Sequence, residues 1–255
     1  MANPQEERVM KIRTSMIALS LAALLSGCQS LNTEGLMQSG AQAFQAATLN
    51  DADVKALSEK SCVEMDQKAQ IASADSQYGK RMAKIAAALG DNINGTPANY
   101  KVYVTKDVNA WAMANGCIRV YSGLMDMMTD NEVEGVVGHV ALGHTRKAMQ
   151  VAYGTTALRT AVASAGGVVG TLSQSQLADL GEKLVNAQFS QKQESEADDY
   201  SFDLLKKRGI DPNGLVTSFE KLASMEAGRN SSMFDDHPSS QARAEHIRQR
   251  IAVEK

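Results

Sequence analysis

Residues 132–149 read EVEGVVGHVALGHTRKAM, and the fold turns on how this stretch is read. Thr129 and Glu132 stand ahead of it at capping-box spacing. Val133, Val136, Val137, Val140, Ala148 and Val151 fall on one stripe at about 100° per residue, which predicts an amphipathic helix running to about Tyr153. Two of the four histidines, His139 and His144, lie on it. His144 sits inside the apolar stripe, while His139 projects roughly 120° away, on the side of Glu132, Gly135 and Gly143. Glycines beside a histidine let something approach the helix closely. On one reading that something is a metal or a substrate; on the other the helix is an ordinary buried one. The two histidines are five apart, about 140° around a helix, and cannot both face one metal. Zinc-binding helices place two histidines four apart, with a glutamate after the first, and no H-E-x-x-H occurs in this chain.

The frame around the stretch is a helix-rich domain. The 255 residues are 44% hydrophobic and 22% charged, enough for one sizeable core. Aromatic residues are only 5%, which favours helices over a β-sandwich. A net charge of −3 predicts no nucleic-acid partner. The 13 methionines read as core filler rather than a ligand set.

The N-terminus reads as an address. Lys11 and Arg13 precede a ten-residue apolar run, Met16 to Leu25, too short to span a bilayer. Leu25-Ser26-Gly27-Cys28 follows and resembles the bacterial lipoprotein signal. The resemblance implies cleavage before Cys28, acylation of Cys28, and a leader over 1–27 with a tether over 28–34. More than one acyl chain gives stable anchoring. Gln29 in place of aspartate implies an outer-membrane lipoprotein facing the periplasm. Residues 1–9 precede a second methionine, Met10, and look like an extra leader or a misassigned start. The alternative for Cys28 is a buried free thiol after an ordinary apolar helix. In an oxidising compartment the remaining Cys62 and Cys117 suggest one disulfide closing a loop of about 56 residues, worth roughly 4 kcal/mol. Two separate thiols are the alternative.

Along the body, 35–255, helices are expected over 35–47, from Asn50 or Asp51 to Lys68, and from Ser76 to Leu89 with a stop at Gly90. Residues 91–98 read as loop. Tyr100, Val102 and Val104 alternate with Lys101, Tyr103 and Thr105 as in a half-buried strand. Asn109–Met113 and Cys117–Tyr121 read as two strands about Asn115-Gly116. Residues 155–172 read as a tightly packed soluble helix, because Arg159 and many small residues interrupt the apolar run. Further helices are expected over 173–189, over 191–208 with a stop at Gly209, over 212–227, and from Pro238 to Val253. Within the 191–208 helix, Glu194 and Asp198 are four apart and share a face. Like charges so placed repel, so either a cation or a distant partner joins them, or the turn is solvated.

The order of these features resembles the HtpX-like gluzincin zinc metallopeptidases, outer-membrane lipoprotein proteases among them. The match runs through NAWAMANGCIRVYSGLMD, NEVEGVVGH and VALGH, the E-S-E-A-D of 194–198, and Asp236-His237-Pro238 with Arg243. It implies an α+β, predominantly helical zincin-like fold with a small β-sheet. It also implies zinc as cofactor, with unfolded or misassembled envelope proteins as substrates. In the family two helix histidines and the first glutamate of E-x-x-A-D hold the metal, and the H-E-x-x-H glutamate deprotonates the metal's water. Carried over, His139 and Glu194 are metal ligands, Asp198 supports them from behind, and His237 falls near the active site. Asn109, Ala110, Trp111, Ala112 and Met113 match the strand that pairs with a substrate backbone.

The chain departs from the family where it matters most. The family string runs like G-H-E-x-G-H-V-A-x-x-H, and here it is Gly138-His139-Val140-Ala141-Leu142-Gly143-His144. Four residues are absent, including the base glutamate and one liganding histidine. His144 aligns with a later, non-liganding histidine. Losing four residues turns a helix by a net 40° or so and shortens it by about 6 Å, so the apolar stripe stays near register. The expectation is a preserved fold, weak or absent zinc binding, and impaired catalysis; a non-catalytic binding or scaffold lipoprotein is the alternative.

Overall fold

A computed structural model of the chain describes residues 50–93, 95–141, 172–186, 189–226 and 239–254, all within one compact unit, 45–255. Cys28, His144 and His237 lie outside the described residues. So do the expected helices over 35–47 and 155–172 (save Leu172) and the stretch of the histidine helix past Ala141.

Side-chain caps set most helix starts. Helix α1, Asp51–Lys68, opens on Asn50, whose Oδ1 accepts from the amides of Ala52 and Asp53 while Asp53 reaches back to the Asn50 amide. Helix α2, Gln77–Leu89, is capped by Ser76. The expected loop over 91–98 instead holds a two-stranded ribbon of β1, Asn92–Ile93, and β2, Thr96–Pro97. Strands β3, Asn99–Tyr103, β4, Ala110–Ala112, and β5, Cys117–Tyr121, form the main sheet in the order β3-β5-β4. β5 runs parallel to β3 and antiparallel to β4, with Val102 opposite Val120 and Trp111 opposite Arg119. Helix α3 is Ser122–Met127 and helix α4, the histidine helix, is Asp130–Ala141. Then come α5, Gln174–Val185, α6, Gln191–Arg208, α7, Asn213–Glu226, and α8, Ser240–Val253. Gly209 closes α6 in the left-handed conformation. The last helix is capped by Ser239, whose Oγ accepts from the Ala242 amide, and Pro238 lies outside the described residues. Among the described residues no helix is long and apolar enough to cross a membrane. The α+β, mainly helical class expected of the chain is the one observed.

The core has two parts, one on each face of the sheet. Val133, Val136 and Val137 of α4 pack with Ile118, Val120, Phe202, Leu205, Leu215 and Phe219. On the other face α1 brings Cys62 and Met65 against Tyr103, Trp111, Met113 and Cys117. Strand β3 is therefore covered on both sides, and Tyr103 is buried rather than solvated as simple alternation predicts. Cys62 and Cys117 are joined as a disulfide, Cα atoms 6.6 Å apart across 55 residues of sequence. Reduction should lower thermal stability, by about 4 kcal/mol if loop closure alone counts. The check is a mobility shift between reduced and non-reduced gels that disappears in Cys62→Ser; a shift that persists in that variant would exclude this pairing.

Arg119 faces α1 from the centre of the sheet, only 1% exposed. Its Nε and Nη2 donate to the Asp66 carboxylate at 2.7 and 2.8 Å, and its Nη1 donates to the carbonyls of Asn99 and Ile118, both at 2.8 Å. Lys101 and the Tyr103 hydroxyl complete the shell of Asp66. Burial alone would raise the Asp66 carboxyl, but hydrogen bonds from Arg119, Lys101 and Tyr103 outweigh it and hold it at about 2.

Candidate active site

Three helices deliver one cluster of charge. α4 contributes His139, α6 contributes Glu194 and Asp198 from one face of its first half, and α8 contributes Arg243. His139 Nδ1 lies 2.8 Å from Asp198 Oδ1, and Nε2 lies 3.5 Å from Glu194 Oε2. The Arg243 guanidinium forks onto Asp198, Nε to Oδ2 at 2.9 Å and Nη2 to Oδ1 at 2.7 Å. Its Nη1 is 3.2 Å from Glu194 Oε2. Nη2 is also nearly equidistant from both ring nitrogens of His139, 3.0 and 3.2 Å, so the guanidinium lies against the ring rather than pointing at one lone pair. Phe219 of α7 closes one side, with its ring edge-on to His139 and its face 4.1 Å from the guanidinium carbon. The side chains of Glu194 and Asp198 are 3% and 1% exposed, so their charges depend on these partners. Burial would raise the Asp198 carboxyl, yet hydrogen bonds from Arg243 and His139 hold it below the ordinary carboxylate range.

Close helix packing brings the groups together. A Cβ on Gly135 would sit 2.9 Å from the Leu215 backbone, and one on Gly138 would sit 2.5 Å from Ser201 Oγ. The Ser201 hydroxyl donates to the Gly135 carbonyl at 2.7 Å, fastening α6 to α4. Gly135 and Gly138 thus admit neighbouring helices, while Gly143 lies outside the described residues. The buried glutamates upstream have other partners. Glu132 caps the Thr129 amide and pairs with Lys221 at 2.6 Å, while burial pushes the Glu134 carboxyl up.

The residues singled out from sequence are partly brought together here. His139, Glu194 and Asp198 meet, and His237 is outside the described residues. Ala110–Ala112 form the terminal strand of the sheet, packed beside α4. Asn109 and Met113 exchange backbone hydrogen bonds with β5, so by antiparallel alternation the amides and carbonyls of Ala110 and Ala112 point to the sheet's outer edge. Sequence reading missed what Arg243 does, though a cation was one of the alternatives it held open for Glu194 and Asp198.

A family profile described as peptidase family M48 matches residues 73–251. The chain belongs to peptidase family M48. It is 67% identical to the metalloprotease LoiP of Escherichia coli strain K12 over 249 residues, 96% of this chain and 99% of that protein. It is 61% identical to the metalloprotease YcaL of the same strain over 240 residues, 91% of this chain and 94% of that protein. A more distant match, 28% identical over 189 residues, is the beta-barrel assembly-enhancing protease of Yersinia pestis, covering 68% of this chain and 38% of that protein.

Zinc is the metal expected of an M48 peptidase, and the residues present can be tested against it. Two ligands of a tetrahedral zinc stand about 3.3 Å apart, and His139 Nε2 and Glu194 Oε2 are 3.5 Å apart. That spacing suits a metal, but the donor count does not. Among the described residues no three His, Cys, Asp or Glu groups are placed to hold one ion. Asp198 faces Nδ1, the other nitrogen of the ring, and Arg243 contacts both Nε2 and Oε2. Among the described residues, His139 and Glu194 alone do not complete a four-coordinate zinc site.

Proposed function

We propose that this chain is a lipid-anchored periplasmic protein of a lineage of zinc metalloendopeptidases, and that its own catalytic step is disabled. The observation that carries the second half is the composition of the cluster: one histidine, His139, followed by Val140 where H-E-x-x-H puts the base. A general base contributes about 10²–10⁴ in rate, and each missing metal ligand costs a further few kcal/mol of affinity. Support for the lineage is the metalloprotease name carried by both Escherichia coli relatives. The beta-barrel assembly-enhancing protease points to envelope proteins, unfolded or misassembled, as the substrate class. The L-S-G-C sequence ending at Cys28 supports outer-membrane anchoring, on the periplasmic side. A second reading, a lipoprotein that binds unfolded chains without cutting them, is favoured by the outer edge of β4, where the Ala112 backbone faces outward and the Ala110 amide is held by Asn109 Oδ1 at 2.8 Å, a place for a bound peptide to add as a strand beside Asn109–Met113.

Casein labelled with a quenched fluorophore separates active from disabled. The purified chain should release no fluorescence that a chelator abolishes, and chelator-sensitive hydrolysis would overturn the disabled reading. Retention of unfolded casein by the immobilised chain, lost when Ala112→Pro blocks the edge, would favour the second reading. In cells, labelled palmitate should enter the parent and not Cys28→Ala; equal labelling of both would defeat the anchor.

A further inference from the structure

We infer that the Arg243 guanidinium is the resident cation of this site, standing where the family would place a metal and making the cluster independent of metal. Glu194 and Asp198 bring two carboxylates into a place almost closed to water. Buried carboxylates need cationic partners or they give up their charge. Every nitrogen of Arg243 is used: Nε and Nη2 on Asp198, Nη1 on Glu194, and Nη2 again on the His139 ring. The two atoms spaced like a metal's ligands, His139 Nε2 and Glu194 Oε2, are each 3.2 Å from a guanidinium nitrogen. A divalent ion between them would face a second cation at close range. Arginine cannot relieve that by losing its proton. The planar fork and the face laid on Phe219 hold it in one orientation, which a lysine ammonium would not reproduce. α4, α6 and α8 are therefore tied by one internal guanidinium.

This inference rests on the disabled-site reading, but its test reads stability and metal content rather than proteolysis. The intact chain, dialysed against zinc and then against buffer, should carry far less than one zinc by elemental analysis. Its Tm should be the same in excess zinc and in chelator. Arg243→Ala should lower Tm by roughly 10 °C. Millimolar ethylguanidinium should restore part of that loss, while equal ethylammonium should not. Should Arg243→Ala fail to fold, Arg243→Lys takes its place, expected to be less stable than the parent and equally metal-free. Stoichiometric zinc in the intact chain, a Tm raised by zinc, or rescue by ethylammonium as good as by ethylguanidinium would each overturn the inference. A chain that leaves casein uncut yet is stabilised by zinc would sink this inference alone.

Discussion

Inserting Glu-Met-Gly-His after His139 yields a chain that purifies with about one zinc and cleaves casein at least about 10³-fold faster than the parent, in a chelator-sensitive way. The insertion places a second histidine four residues after His139, about 40° around the helix and one turn along, so both look toward Glu194 on α6. Three donors then converge where two stand now. A full zinc site is worth roughly 10–16 kcal/mol, enough to displace Arg243 from His139 and Glu194. Its fork onto Asp198 involves neither of those groups and can persist. Inserting Gln-Met-Gly-His instead should restore the zinc and not the cleavage, which separates the metal from the base. A restored chain that takes up zinc and cleaves no faster than the parent would show that something other than the four-residue gap disables it.

Arg119→Met should cost about 3–5 kcal/mol in urea unfolding, although methionine is apolar and of similar reach. Among the described residues Arg119 is the largest side chain so fully buried, and removing it strips Asp66 of its bidentate partner and frees two carbonyls. Adding Asp66→Leu to it should recover part of the loss, since the two residues share one network. The same pair shapes the acid limb. The Asp66 carboxyl is held at about 2 in the fold against an ordinary value of 3.8. The unfolded chain therefore binds more protons between those values, and stability present above about pH 4 is lost as pH falls toward 2. In Arg119→Met that limb should flatten. Unchanged acid unfolding in the variant would remove Asp66 as its source.

Local chemistry was readable from sequence, and burial of charge was not. Asn50, Ser76, Thr129 with Glu132, and Gly209 mark helix ends through bonds to their own neighbours, so their spacing suffices. The stripe of Val133, Val136 and Val137 likewise faces the core. The burial of Arg119 has no mark in residues 117–121, because nothing there says that β5 is central and covered on both faces. Its partner Asp66 comes from a helix 53 residues upstream. At the site, His139, Glu194 and Asp198 were named through the family resemblance, whereas the role of Arg243 required the meeting of α6 and α8, which no local pattern encodes.

The contacts of Gly135 and Gly138 divide α4 by how it can change length over evolution. Each glycine is matched to one residue on a neighbouring helix, Leu215 or Ser201, and neither position has room for a Cβ. A codon gained or lost inside 130–138 would swing at least one glycine about 100° off its partner and put a side chain in its place. Length changes there are selected against by the fold alone, whatever the protein does. The next residue, His139, is half-buried and lies past both of these contacts. The departure from the family string begins after His139, beyond both glycine contacts. A change of length after Gly138 leaves the seats of Gly135 on Leu215 and of Gly138 on Ser201 untouched, so these two contacts do not select against it.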